Sequence, residues 1–191
     1  TWNVATCGQV LKLSEHRRRV SAVDYSPDGR KMLSASWDGK VLLWNAESGK
    51  IIYTFAGHTG PVSSVAFSGD GYFCVSGAWD AQVRIWNVRR GELAHVLIGH
   101  ARSVRDVAFA PDSSQVASVS VDGTLRLWSA VSGAPIAVFG GDSRLRLPPG
   151  ARMGLPASGP AGLAPSSPLP RFWIPETVSA SAPSPGPASA S

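Results

Sequence analysis

Ser34, His16 and Asp38 are the residue types of a hydrolase triad: a hydroxyl nucleophile, an imidazole to take its proton, and a carboxylate to orient the imidazole. The same trio recurs as Ser76, His58 and Asp80, and again as Ser118, His100 and Asp122. Each copy is followed by a tryptophan, Trp44, Trp86 or Trp128, and all four positions repeat with a period of 42. A catalytic constellation is built once per domain, whereas a structural device recurs with the repeat. The multiplicity therefore points to structure, and no enzymatic activity is expected. No phosphate-cradling glycine loop or HExxH motif competes with this reading. Cys7 and Cys74 stand far apart and offer neither a disulfide framework nor a CxxC pair, so no metal or cofactor is expected.

Between these anchors the apolar residues alternate, and clusters of Gly, Asn, Asp, Ser and Pro return at short, regular intervals, as antiparallel strands joined by hairpins require. In the second copy Val62, Val65 and Phe67 mark one strand, and Ser68-Gly69-Asp70-Gly71 forms a turn into Phe73 and Val75. Asp80-Ala81-Gln82 turns into Val83, Ile85 and Trp86, and Arg90-Gly91 into Leu93 to Ile98. The first copy repeats this through Ser26-Pro27-Asp28-Gly29 and Ser48-Gly49, the third through Pro111-Asp112-Ser113 and Ser132-Gly133. His95, the one histidine outside the pattern, falls on a fourth strand as a half-exposed structural residue. Four strands in each repeat make one propeller blade.

Gly57-His58 with Trp86 downstream, and Gly99-His100 with Trp128 at the same distance, resemble the repeats of the WD40 family. The resemblance implies that histidine, serine, aspartate and tryptophan form a hydrogen-bonded structural tetrad in each blade. Such a chain is chemically sensible, because a buried carboxylate needs donors and an imidazole held by it keeps one tautomer. The sequence departs from the family where Asn45, Asn87 and Ser129 replace the aspartate after tryptophan, and where Glu15 replaces the glycine before His16.

The expected fold is all-β: a WD40 propeller segment of three complete four-stranded blades plus half a blade, open rather than closed. A partial blade (third and fourth strands) occupies 1–15, since Trp2 precedes His16 by the same interval that separates Trp44 from His58. Whole repeats follow over 16–57, 58–99 and 100–141, and a tail over 142–191. Residues 143–191 hold 11 Pro, 9 Ser, 8 Ala and 5 Gly, too little apolar surface to offset the entropy of ordering, so the tail is expected to be disordered. Arg171-Phe172-Trp173-Ile174 is its one apolar cluster. With so few blades, the sequence reads as a fragment or alternative product of a longer propeller protein. Self-association through open blade edges is then expected, because each blade buries its faces only against neighbours.

The formal charge of +5 is concentrated in the tail, where Arg144, Arg146, Arg152 and Arg171 face only Glu176, which leaves +2 for everything before it. That is no footprint for nucleic acid, and Arg17-Arg18-Arg19 alone reads as a solvated loop. No apolar run reaches membrane-spanning length, and no signal peptide opens the sequence, so a cytoplasmic or nuclear location is expected. By resemblance, the function is a non-catalytic scaffold for other proteins or peptides. The loop positions that touch partners in such blades carry over to Arg19, Ser21 and Trp37; to Pro61, Ser63 and Trp79; and to Ser103, Arg105 and Val121. Arg19, Trp37, Trp79 and Arg105 are the residue types enriched in binding hot spots. Val75-Ser76-Gly77-Ala78, Asp80, Val83, Ile85, Trp86 and Arg89 also resemble the box by which some WD proteins dock on cullin-based ubiquitin ligases, with Asn87 departing from its acidic position. A truncated product without independent activity is the remaining alternative.

Overall fold

The computed structural model describes Thr1, Gly8 and residues 11–140. The chain divides into a unit over Thr1–Met153 and one over Gly154–Ser191. Residues 2–7, 9 and 10 of the expected half blade, and all of 141–191 including the second unit and Arg171-Phe172-Trp173-Ile174, lie outside the described residues.

Twelve strands build three antiparallel sheets of four, each ordered as the chain runs. The first holds β1 (Val20–Tyr25), β2 (Lys31–Ser36), β3 (Val41–Asn45) and β4 (Ile51–Phe55). The second holds β5 (Val62–Phe67), β6 (Phe73–Ala78), β7 (Gln82–Asn87) and β8 (Glu92–Ile98). The third holds β9 (Val104–Phe109), β10 (Gln115–Ser120), β11 (Leu125–Ser129) and β12 (Pro135–Phe139). The sheets follow one another in an open arc of blades, and no helix occurs among the described residues. Matching strands start within two residues of the repeat register, because the turn residues recur with it.

Turn chemistry sets these boundaries. The β2–β3 turn needs a left-handed residue, which is Gly39 in the first blade and Gly123 in the third, at φ 80° and 79°. In the second blade Ala81 is forced to φ 64°. Residues after the tryptophans close the next turn by accepting backbone N–H groups: Asn45 Oδ1 takes Glu47 and Ser48, Asn87 Oδ1 takes Arg89 and Arg90. Ser129 Oγ takes Ser132 at 3.3 Å. The position demands an acceptor rather than a charge, which is why Asn and Ser can stand where aspartate is usual.

The core lies between blades. Leu33, Val41, Leu43 and Phe55 of the first sheet pack on Val62, Phe67, Cys74 and Trp86 of the second. One repeat later Val75, Val83, Ile85 and Leu97 pack on Val104, Val107, Val116 and Trp128. At this second junction Gly77 has no room for a side chain, since a Cβ would stand 2.6 Å from Val104 Cγ1. Polar ties accompany the packing. Ser21 Oγ donates to the Val62 carbonyl at 2.5 Å, and Ser63 Oγ to the Val104 carbonyl at 2.7 Å. Tyr53 and His95, one repeat apart, reach the carbonyls of Arg89 and Val131 in the following blade. Carbonyls only accept, so His95 carries its proton on Nε2.

Candidate functional site: the tetrads and the loop rim

Each blade joins a loop histidine, a second-strand serine, a turn aspartate and a third-strand tryptophan. In the first, His16 Nδ1 lies 3.0 Å from Asp38 Oδ2, His16 Nε2 2.7 Å from Ser34 Oγ, and Trp44 Nε1 donates to Ser34 Oγ at 2.8 Å. His58, Asp80, Ser76 and Trp86 repeat this at 2.8, 2.8 and 2.9 Å, and His100, Asp122, Ser118 and Trp128 at 3.0, 2.8 and 2.9 Å.

The proton order follows from which atoms can donate. The indole N–H donates to the serine oxygen, the serine O–H then donates to Nε2, and Nδ1–H donates to the carboxylate. The serine hydroxyl is thus held between tryptophan and histidine, with its side chain buried in all three copies. In the first blade Ser34 and His16 also line a cavity of about 420 Å³ beside Leu13, Val23 and Trp44, and there too the hydroxyl is engaged by both neighbours. Burial works against the charge on Asp38 and Asp80, but the histidine and backbone N–H donors outweigh it and keep both carboxyls below the ordinary range. Asp122 behaves likewise, aided by the Thr124 hydroxyl at 2.6 Å. Burial lowers the pKa of His100 more than Asp122 raises it, which favours the neutral ring the network requires. Burial also pushes the Cys74 thiol far above its usual range, leaving it unreactive.

Two arginines missed by sequence reasoning complete this layer. Arg84 and Arg126 lie one repeat apart, and a Cβ on Gly57 or Gly99 would collide with their guanidinium nitrogens. The first blade has Leu42 in place of the arginine, and there Glu15 replaces glycine. The two departures are one: without the guanidinium, the position before histidine accepts a side chain. The signal was the shared repeat position of Arg84 and Arg126.

At the end of the sheets that carries the histidine loops, backbone bonds clip each loop to its neighbouring turn. Trp37 N–H donates to Arg19 O, Trp79 N–H to Pro61 O, and Val121 N–H to Ser103 O. This brings the predicted rim residues into one ladder across three blades. Arg19 stands 5.1 Å over the Trp37 ring, Trp37 meets Trp79 at 5.4 Å between centroids, and Arg105 stands 5.7 Å over Trp79. Trp79 is 42% exposed. Ser21 and Ser63, by contrast, are half-buried and spent on the ties between blades. Arg89 is not part of the ladder: it lies in the β7–β8 turn at the opposite end, over the Tyr72 ring at 5.6 Å.

The family description "WD domain, G-beta repeat" matches residues 6–45, 49–87 and 91–129, more than half of the chain. The chain belongs to the WD-repeat family. Among curated relatives, Ribosome assembly protein 4 of Saccharomyces cerevisiae is 38% identical over 55 residues, 28% of this chain and 11% of the relative. Small ribosomal subunit protein RACK1y of Oryza sativa subsp. japonica is 42% identical over 52 residues, 27% of this chain and 16% of the relative. The crystal structure of RRP9 WD40 repeats superposes with a TM-score of 0.66 at 25% identity, covering 68% of this chain and 41% of that one. The structure of U3-55K gives 0.65 at 24%, which speaks for the fold alone. The WD-repeat chain thus spans well under half the length of these relatives and structures.

Proposed function

We propose that this chain is a non-catalytic scaffold that binds other proteins through the loop rim, with Arg19, Trp37, Trp79 and Arg105 as anchors. The observation that carries the reading is the continuous cation–aromatic ladder, which puts two large rings and two guanidinium groups at the exposed end of a rigid sheet array. Aromatic and arginine side chains on a fixed frame bind with little ordering cost. The tetrads supply that frame, and their serine hydroxyls are committed to internal bonds. Relatives named for ribosome assembly and for the small ribosomal subunit support a role within multi-protein assemblies. A cytoplasmic or nuclear place of action follows from such a role. Affinity purification of the chain and of a Trp37→Ala, Trp79→Ala double variant tests the reading. The partners retained by the parent chain should be lost from the variant, and identical partner sets would refute it. A chain that retains no partner in either form would be a truncated product without independent activity.

Two narrower readings use other surfaces. Arg89 is exposed and flanks a cavity of about 360 Å³ with Tyr72, Asp28 and Asp70, at the end away from the rim. Docking on a cullin-based ligase would use this end, and loss of cullin co-purification in Arg89→Ala is its test. Self-association would instead use the exposed apolar residues of the outer sheet faces, at Val23 and Tyr25 of the first blade and Leu125 and Phe139 of the third.

A further inference from the structure

The rim carries an excess of exposed positive charge. Arg17, Arg18, Lys40 and Arg102 are exposed beside the ladder, and among the described residues none of them, nor Arg19 or Arg105, forms an ion pair. The carboxylates nearest to them, Asp38, Asp80 and Asp122, are consumed inside the tetrads. Each accepts its histidine and two backbone N–H groups, for Asp38 those of Arg17 and Lys40. Among the described residues Glu15 is the one further acid in these loops. At the opposite end Asp28, Asp70 and Asp112 mingle with Lys31, Arg89 and Arg90, so that end is balanced. The tetrads therefore do more than brace the blades: they occupy the oxygens of the rim's three aspartates, so that the exposed cations beside them form no ion pair with these carboxylates.

The charge surrounds a shaped site. A cavity of about 380 Å³ opens between the first and second blades, lined by Arg17, Arg18, Trp37, Thr59 and Pro61 and floored by the tetrad members Asp38 and His58, whose polar atoms are taken up by internal hydrogen bonds. Its lining thus combines two cations with an indole and a proline ring. Arg17 commits only its backbone N–H to Asp38, which leaves its guanidinium for a ligand.

Resting on the scaffold reading, we propose that the rim recognises an acidic segment of a partner protein. One apolar side chain of that segment enters the cavity beside Trp37 and Pro61, and its flanking carboxylates pair with Arg17 and Arg18. The opposite charge steers the encounter and the apolar anchor fixes the register. Nucleic acid would satisfy the same guanidinium groups but has no aliphatic side chain for the cavity.

The test is a binding titration of the full chain with a synthetic peptide in which one leucine is flanked on each side by four glutamates. Its glutamine counterpart and an oligo-thymidylate of similar length serve as comparisons. The acidic peptide should bind, and binding should weaken about tenfold in an Arg17→Ser, Arg18→Ser double variant. Binding should also vanish in 1 M salt, where the screening length is about 3 Å. Both arginine side chains are exposed, and an unchanged melting temperature would establish that the variant folds. Equal binding of the glutamine peptide, tighter binding of the oligonucleotide, or no binding of the acidic peptide would each overturn the proposal. If one of these occurs while the Trp37→Ala, Trp79→Ala variant still loses its cellular partners, the charge inference fails alone and the scaffold reading stands.

Discussion

At the residue scale, the tetrad explains how a set of catalytic residue types can serve as a structural device. A hydrolase serine needs one face open to substrate, and here Ser76 Oγ receives Trp86 Nε1–H at 2.9 Å and faces His58 Nε2 at 2.8 Å. Replacing Ser76 with alanine leaves both a buried donor and a buried acceptor unpaired, at a cost of about 1–3 kcal/mol each. Trp86→Phe removes only the donor, along with part of the packing. Chemical denaturation should rank Ser76→Ala as destabilising with no change in secondary structure. Acid should weaken the same network, with a sign fixed by the shifts. The folded state holds His100 below its ordinary value of 6.5, so the unfolded chain binds the extra proton, and stability falls as pH drops below about 6.5. The carboxyls of Asp38 and Asp80 lie below 3.8 in the folded state, so their contribution is intact above that pH and is lost as pH falls further. A melting-temperature series from pH 8 to 3 should show two descending stages, the first reduced in His100→Gln. A flat profile between pH 7 and 5 would contradict the neutral-histidine proton order.

At the element scale, each strand and turn was legible where the residue carrying it recurs by type. The strands β5 to β8 fall where alternation and the Gly–Asp turns predicted them, because a period of two with one buried face admits a single register. Contacts made by unlike residues were not legible. Tyr53 and His95 do the same work one repeat apart, and nothing in a tyrosine and a histidine announces a shared carbonyl contact. Likewise, Trp37 and Trp79 could be placed at equivalent turns, but their touching depends on the angle between blades, which no pattern encodes. The exchange of Arg84 for Leu42 and of Gly57 for Glu15 needed the three-dimensional clash to show that it is one event. Turn strain offers a direct check at this scale. Ala81 stands at φ 64° where both sister turns use glycine. A left-handed non-glycine residue costs about 1–2 kcal/mol, and glycine adds about 0.5–1 kcal/mol of chain entropy. Ala81→Gly should therefore stabilise the chain by up to about 1 kcal/mol in urea denaturation, whereas Gly39→Ala should destabilise it. Equal effects at the two positions would mean that the turn is not strained.

At the scale of the whole molecule, stability in a blade array is the sum of each blade and the junctions it shares. The second sheet is covered on both faces, by Leu33 and Phe55 on one side and by Val104 and Trp128 on the other. Among the described residues the first and third sheets each have one such junction. Their outer faces leave Val23 61% and Phe139 40% exposed, whereas the matching Val65 is 6% and Leu97 is 1% exposed. The first sheet recovers part of the loss, because Leu13 packs on Met32, Leu42 and Trp44 as Phe55 does on Trp86. The third has no such cover among the described residues. Opening should accordingly begin in β12 and β11 and reach β6 and β7 last. Native-state hydrogen exchange read by strand should give amides of β6 and β7 the greatest protection, those of β2 and β3 intermediate, and those of β11 and β12 the least. Phe139→Ser should leave this order unchanged, since its ring is already half in water, while Leu97→Ala should cost about 2–5 kcal/mol and collapse the difference between the second and third blades. If β11 and β12 prove as protected as β7 at every protein concentration, the outer face of the third sheet is covered in solution. If their protection rises with concentration, the cover is a second copy of this chain.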